Sequence, residues 1–273
     1  MLNKKITAMY FSATGTTEKI ATGIASKISV NIDKDKPIDI INFTLPESRN
    51  NFLSFTEKDL VIVGVPVIAG RVPNVLLKYL NSLTGNGTLA ISVVVYGNRN
   101  YDDALVELKD ILESRSFKVI AGGAFIGEHS FSKTLAKNRP DEQDMAIVNN
   151  FAQQIYTKLT IQEELQTVIV AGNKPYRDYY KPKDNNGNPV DFRRIVPKTN
   201  SDCIDCKLCA SVCPMGSIDA EDVSKIIGIC IKCCACIKRC PAQANYFDDE
   251  RYVRHKNELE IAFASRREPE LFL

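Results

Sequence analysis

All nine cysteines of the chain fall between positions 203 and 240. Cys203, Cys206, Cys209 and Cys213 are spaced C-x2-C-x2-C-x3-C ahead of Pro214; Cys230, Cys233, Cys236 and Cys240 repeat that spacing ahead of Pro241, each 27 positions on. Thiolates two residues apart on a tight loop can bind different irons of one cubane. The fourth, before proline, lies too far along to close the same cube and serves the neighbouring cluster. One 4Fe-4S cluster is therefore expected on Cys203, Cys206, Cys209 and Cys240, and another on Cys230, Cys233, Cys236 and Cys213. A pair of zinc sites is the plainer alternative, since four-cysteine zinc sites also use C-x2-C pairs. Zinc has little use for a third cysteine at the same interval and a fourth before proline, twice over. Cys234 lies outside the pattern and reads as a small buried filler.

A second group that could do chemistry is Ser12-Ala13-Thr14-Gly15-Thr16-Thr17. Four hydroxyls and a glycine at the opening of a helix make a phosphate cradle, because the first N–H groups of a helix lack intrahelical partners and carry its positive dipole end. An ordinary helix cap is the bland reading. There is no G-x-G-x-x-G and no G-x-x-x-x-G-K, so neither dinucleotide nor triphosphate binding is the default.

These residues need a scaffold. Strands are expected over residues 6–12, 38–43, 60–65, 89–96 and 118–126, and helices over 16–28, 73–83, 101–114 and 141–158, with a short one between 46 and 55. Asp141, with Asp144 three residues on, is a good helix N-cap. Alternating strands and helices predict an α/β fold, a doubly wound five-stranded parallel sheet with its ligand at the carboxyl ends of the strands. A small α+β domain with the cysteines follows. The expected division is 1–160 for the sheet domain, 161–199 for a connector, 200–249 for the cysteine domain, and 250–273 for a helix and an extended tail anchored by Ile261, Phe263, Leu271 and Phe272 as a strap across the domain interface. The stretch 173–198 has seven basic residues against three acidic ones. It is either a solvated loop or a dock for anionic groups.

Composition narrows the function. The chain has 273 residues, a net charge of +2, and 44% hydrophobic and 25% charged residues. That charge is too small for nucleic acid to be the main partner. The longest apolar stretch, 61–69, is too short to span a membrane and is broken by Gly64 and Pro66. No targeting segment is evident, and cysteines confined to one patch are metal ligands rather than a disulfide framework, which points to the reducing cytoplasm.

The cysteine segment resembles the bacterial two-cluster ferredoxins, and residues 10–21, YFSATGTTEKIA, resemble the flavodoxin loop that holds the FMN phosphate. Taken whole, the chain resembles the flavodoxin–ferredoxin fusion proteins of anaerobes. The resemblance implies FMN on residues Ser12 to Thr17. It implies the flavin ring between two loops, one containing Pro66, Val67, Ile68, Ala69 and Gly70, the other Tyr96, Gly97, Asn98, Tyr101 and Asp103. Tyr101 is the expected stacking aromatic, the alternative being a tyrosine that starts a helix against the sheet. Ile68 stands where a second aromatic was expected, and Gly64 or Gly70 could offer a carbonyl to flavin N5. His129 is read as a surface or capping residue, or as a hydrogen-bond donor near the flavin; His255 is expected to be structural. The implied function is electron transport: electrons pass between FMN and two 4Fe-4S clusters and on to redox partner proteins, with a flavin-dependent reductase of a small acceptor as the alternative. A homodimer in which the carriers meet across subunits is left open.

Overall fold

The computed structural model describes residues 4–184 and 186–273. Asn185, in the run of turn formers 184–189, lies outside the described residues. The first unit runs β1 (Lys5–Tyr10), α1 (Thr16–Ile32), β2 (Asp39–Asn42), a 3-10 turn (Pro46–Arg49), β3 (Asp59–Pro66), α2 (Asn74–Leu80), β4 (Leu89–Tyr96), α3 (Ala104–Ser114), β5 (Lys118–Ile126) and α4 (Glu142–Ile161). These five strands are parallel in the order β2-β1-β3-β4-β5, the flavodoxin-type order of doubly wound sheets.

Period-two alternation sends the strands' side chains to two cores. Leu60 and Ile62 pack on the face covered by α1 and α4, with Ile20, Ile24, Phe151 and Ile155. Val61, Val63 and Val65 pack on the other, with Leu76, Leu80, Leu105 and Leu108 of α2 and α3. Side chains buried on both faces explain why the central strands read as continuous apolar runs. The expected cap on α4 is present: the Asp144 N–H donates to Asp141 Oδ1 (3.0 Å) and the Asp141 N–H to Asp144 Oδ2 (2.9 Å). Such a reciprocal cap contributes about 1 kcal/mol.

The second part holds β6 (Lys198–Thr199), α5 (Leu208–Ser211), α6 (Ala235–Lys238), β7 (Asn245–Tyr246), α7 (Glu250–Ala262) and β8 (Glu270–Phe272). Here the sheet exceeds the five expected strands. The tail does not stop as a strap: β8 returns to the first unit and pairs antiparallel with β5, Gly122 opposite Phe272, making a sixth strand that covers an open edge. The cysteine segment also joins the first unit's core, Ala235 being buried in it with Val212 and Ile231 packed alongside.

Candidate cofactor cavity and cysteine clusters

The internal repeat is visible in the backbone. Asp205 and Lys207 lie in the left-handed region (φ 54° and 60°), as do Lys232 and Cys234 27 positions later (φ 54° and 59°), and each pair leads into a single helical turn, α5 or α6. Behind each turn an N–H meets a sulfur: Ser217 N donates to Cys213 Sγ and Ala244 N to Cys240 Sγ, both at 3.3 Å. Such bonds favour the thiolate and tune a cluster held by it.

Two small cavities sort the cysteines. Cys203, Cys206, Cys209 and Cys240 line one; Cys213, Cys230, Cys233 and Cys236 line the other. Burial pushes the Cys233 thiol up to about 12 and raises that of Cys236 as well. At neutral pH such sulfurs would hold their protons unless a metal displaced them, and four thiols around each space are a donor set suited to iron–sulfur cubanes. Cys234 touches the second cavity, but its sulfur lies 3.5 Å from the Tyr252 hydroxyl and burial raises its pKa to about 12. It occupies the left-handed position that Lys207 fills in the first loop.

A cavity of about 270 Å3 opens at the carboxyl ends of β1, β3, β4 and β5. Ala13, Thr14, Thr16 and Thr17 line it together with Pro66, Val67, Ile68, Ala69, Tyr96 and Gly97. The other loop residues singled out in the sequence lie outside it. Ser12 Oγ accepts from the Glu18 N–H at 3.0 Å, and Gly15, at φ 91°, makes the left-handed turn that starts α1. Gly70 also needs a positive φ, and a Cβ there would stand 2.2 Å from the Asp102 carboxylate.

Tyr101, the expected stacking aromatic, does not line the cavity: it is buried against Tyr96 and its hydroxyl donates to Glu270 at 2.6 Å, anchoring β8. The Asn98 amide is taken up by the carbonyls of Phe263 (2.6 Å) and Ser265 (2.8 Å) at the end of α7. Asp103 is fully buried and accepts from the N–H groups of Asn173 and Arg177, so it clamps the connector. These three hold the chain's later segments in place.

Those segments supply walls that the sequence did not announce. Tyr180 and Phe192 of the connector, Phe131 after β5 and His255 of α7 all line the cavity. Tyr180 is fixed by its N–H bond to Ala69 O (2.9 Å), lies under the Arg99 guanidinium (4.7 Å) and stacks on His255, which is therefore part of the cavity wall. His129 also faces the cavity; its Nδ1 accepts from the Phe131 N–H at 3.1 Å, so its remaining proton sits on Nε2. Burial, aided by Lys238, lowers its pKa to about 4 and keeps it neutral.

The basic connector docks on protein carboxylates. Lys174 pairs with Asp110 (2.7 Å) and Arg177 with Asp102 (3.4 Å). Tyr176 and Tyr179 lie against Arg71 (4.8 and 5.0 Å), which makes a two-pronged pair with Glu107 (2.7 Å each). From the cysteine side, Lys238 of α6 pairs with Glu128 and donates to the carbonyl of His129 at 2.8 Å. The most telling neighbours are Ile231, Lys232 and Cys233, which close the cavity from the second cysteine loop.

Residues 148–258 match the family model of a 4Fe-4S dicluster domain. No curated protein matches the chain. Among solved structures, a flavodoxin from the domain Archaea is 15% identical, covering 57% of this chain and 98% of that one with a TM-score of 0.39. The flavodoxin of Streptococcus pneumoniae TIGR4 is 19% identical over 56% and 97%, with a TM-score of 0.38. Flavodoxin 1 from Bacillus cereus is 18% identical over 57% and 98%, with a TM-score of 0.38. No described helix is long and apolar enough to cross a membrane. By strand order and by family match, the chain joins a flavodoxin-like sheet to a 4Fe-4S dicluster segment.

Proposed function

We propose that this chain, a flavodoxin-like unit joined to a dicluster segment, carries electrons between an FMN in the 270 Å3 cavity and two 4Fe-4S clusters. One observation carries the reading: Cys233, a cluster ligand by its spacing, lines the same cavity as Thr14, Thr16 and Thr17. The flavin and one cluster are thereby neighbours within a single chain, with no second copy required. FMN supplies a site that accepts two electrons and releases them singly, while each cluster handles one.

The roles of the residues follow. Thr14, Thr16, Thr17 and the first turn of α1 would hold the phosphate, with Ser12 and Gly15 shaping the loop. Residues 66–69 and 96–97 would flank the ring. Cys213, Cys230, Cys233 and Cys236 would hold the cluster next to the flavin; Cys203, Cys206, Cys209 and Cys240 would hold the outer one. The division into 1–160, 161–199, 200–249 and 250–273 serves this reading, the first and third parts carrying the cofactors. The connector and tail enclose the cavity and tie the two parts together.

The alternative is an FMN-dependent reductase of a small acceptor fed by the clusters. Of the two donors such a reductase would aim at an acceptor, the Asn98 amide is held by the carbonyls of Phe263 and Ser265, whereas His129 faces the cavity with its proton on Nε2. The carrier reading is preferred on the place of Cys233 in the cavity wall. The partners are then redox proteins that meet the outer cluster.

Stepwise anaerobic reduction of the purified protein, followed by visible absorbance and EPR with iron and FMN assayed on the same sample, tests this. About eight irons and one FMN per chain, with both flavin bleaching and reduced-cluster signals, are expected. Iron without FMN would reduce the protein to a dicluster carrier on an unassigned scaffold.

A further inference from the structure

The two cysteine loops are repeats with the same backbone, yet only one of them is covered. Ile231, Lys232 and Cys233 face the flavin cavity. Their counterparts 27 positions earlier, Ile204, Asp205 and Cys206, face solvent, Ile204 keeping 67% of its surface exposed. Asp205 and Lys232 share φ 54°, so the face that meets the flavin from the second loop is reproduced outward by the first.

The charge is inverted at that face. Lys232 stands where the outer loop has Asp205. Around the outer loop, segments 202–207 and 219–225 carry five carboxylates (Asp202, Asp205, Asp219, Glu221, Asp222) and two lysines (Lys207, Lys225), a net of −3. Both lysines are held, Lys207 by Asp205 (2.8 Å) and Lys225 by Asp222 (3.2 Å). The segments are adjacent, because Lys207 Nζ also donates to Glu221 O at 2.8 Å. An exposed isoleucine and an exposed ligand cysteine thus sit inside an acidic surround.

We propose that the Ile204–Asp205–Cys206 face is the port for an external one-electron carrier protein whose contact surface is basic around an apolar centre. This rests on the electron-transfer reading above. At the port one electron crosses: the outer cluster is oxidised by one electron as the partner is reduced by one, or the reverse, and no bond or proton moves. Ile204 supplies the apolar contact, the carboxylates steer the encounter, and Cys206 brings the cluster to the surface.

Cytochrome c, a basic one-electron haem protein, is the probe. Zinc-substituted cytochrome c reports binding by fluorescence, and reduction of ferric cytochrome c by the dithionite-reduced protein reports transfer. Asp205→Lys installs the side chain that Lys232 already carries in the same backbone conformation, so the loop tolerates it. It should weaken binding and slow transfer about tenfold at low salt, an effect that fades as salt rises. Ile204→Ser should weaken binding several-fold with little salt dependence. Asp35→Lys makes the same change in net charge on an exposed residue of the turn after α1 and should stay within about twofold of the parent. Equal losses in Asp205→Lys and Asp35→Lys, or no loss with Ile204→Ser, overturn the port. Iron and FMN are assayed on every sample: protein lacking either defeats the electron-transfer reading, whereas loaded protein indifferent to the port variants defeats the port alone.

Discussion

Arg49 Nη2 donates to the carbonyl of Pro214 at 2.7 Å, joining the turn after β2 to the proline behind Cys213 across 165 positions of sequence. The same guanidinium holds the carbonyls of Phe43 (3.2 Å) and Thr44 (2.7 Å), so one side chain bolts the flavodoxin-like unit to the loop that follows Cys213. Arg49→Met keeps the aliphatic stem and removes all three bonds. A loss of about 1–2 kcal/mol in thermal stability is expected, with slower flavin-to-cluster equilibration in stopped-flow absorbance. Unchanged internal transfer would mean that the remaining contacts, Lys238 with Glu128 among them, fix the docking alone.

Tyr101 gives a sharper contrast, because its two readings predict different losses. As an anchor for β8 through Glu270, Tyr101→Phe should cost about 1 kcal/mol in melting experiments and leave FMN affinity within about twofold by fluorescence titration. Tyr101→Ala should destabilise by about 3–5 kcal/mol, since it empties a buried aromatic site. A large fall in FMN affinity in the phenylalanine variant would return the tyrosine to the flavin.

Tyr101 also marks the limit of what the sequence discloses. Strands of continuous Val and Ile runs and the α4 cap at Asp141 are local patterns, and each is found where expected; the paired cysteine motifs are equally local, and their repeat recurs in the backbone. What was not legible depends on contacts between distant positions. β8 is three residues long, and only Leu271 and Phe272 hint at it; its pairing with Gly122 and Gly123 has no local signature. Tyr180 and Phe192 sit in a stretch with no period, so nothing in their spacing shows that the connector folds back over the cavity. An aromatic in a loop at the carboxyl end of the sheet is equally compatible with stacking on a ring or holding a tail.

The eight-cysteine assignment separates Cys233 from its neighbour Cys234. Cys234→Ala should retain about eight irons per chain and cost about 1 kcal/mol, since it trims one buried sulfur packed on Tyr252. Cys233→Ala should lose the inner cluster, with iron falling towards about four per chain and flavin reduction uncoupled from the remaining EPR signal. Equal iron content in the two variants would undo the register.

His129 makes stability depend on pH in a defined window. Its folded pKa is lowered to about 4 by burial and by Lys238, while histidine in the unfolded chain titrates near its ordinary value of 6.5. Between those values the unfolded chain binds a proton that the folded chain does not, so stability is complete above about 6.5 and declines as pH falls towards 4. The groups acting on the ring include Lys238 of α6, His255 and Glu260 of α7 and Arg99 after β4. Across the window the loss amounts to roughly 2–3 kcal/mol. Chemical denaturation of the parent and of His129→Gln at pH 5, 6 and 7 isolates the histidine's contribution, because cluster lability and carboxylate titration are common to both. The parent should lose stability relative to the variant as the pH drops, at up to about 1.4 kcal/mol per unit. Parallel curves would mean that the imidazole is solvated and charges freely, and its place in the cavity wall would then have to be abandoned.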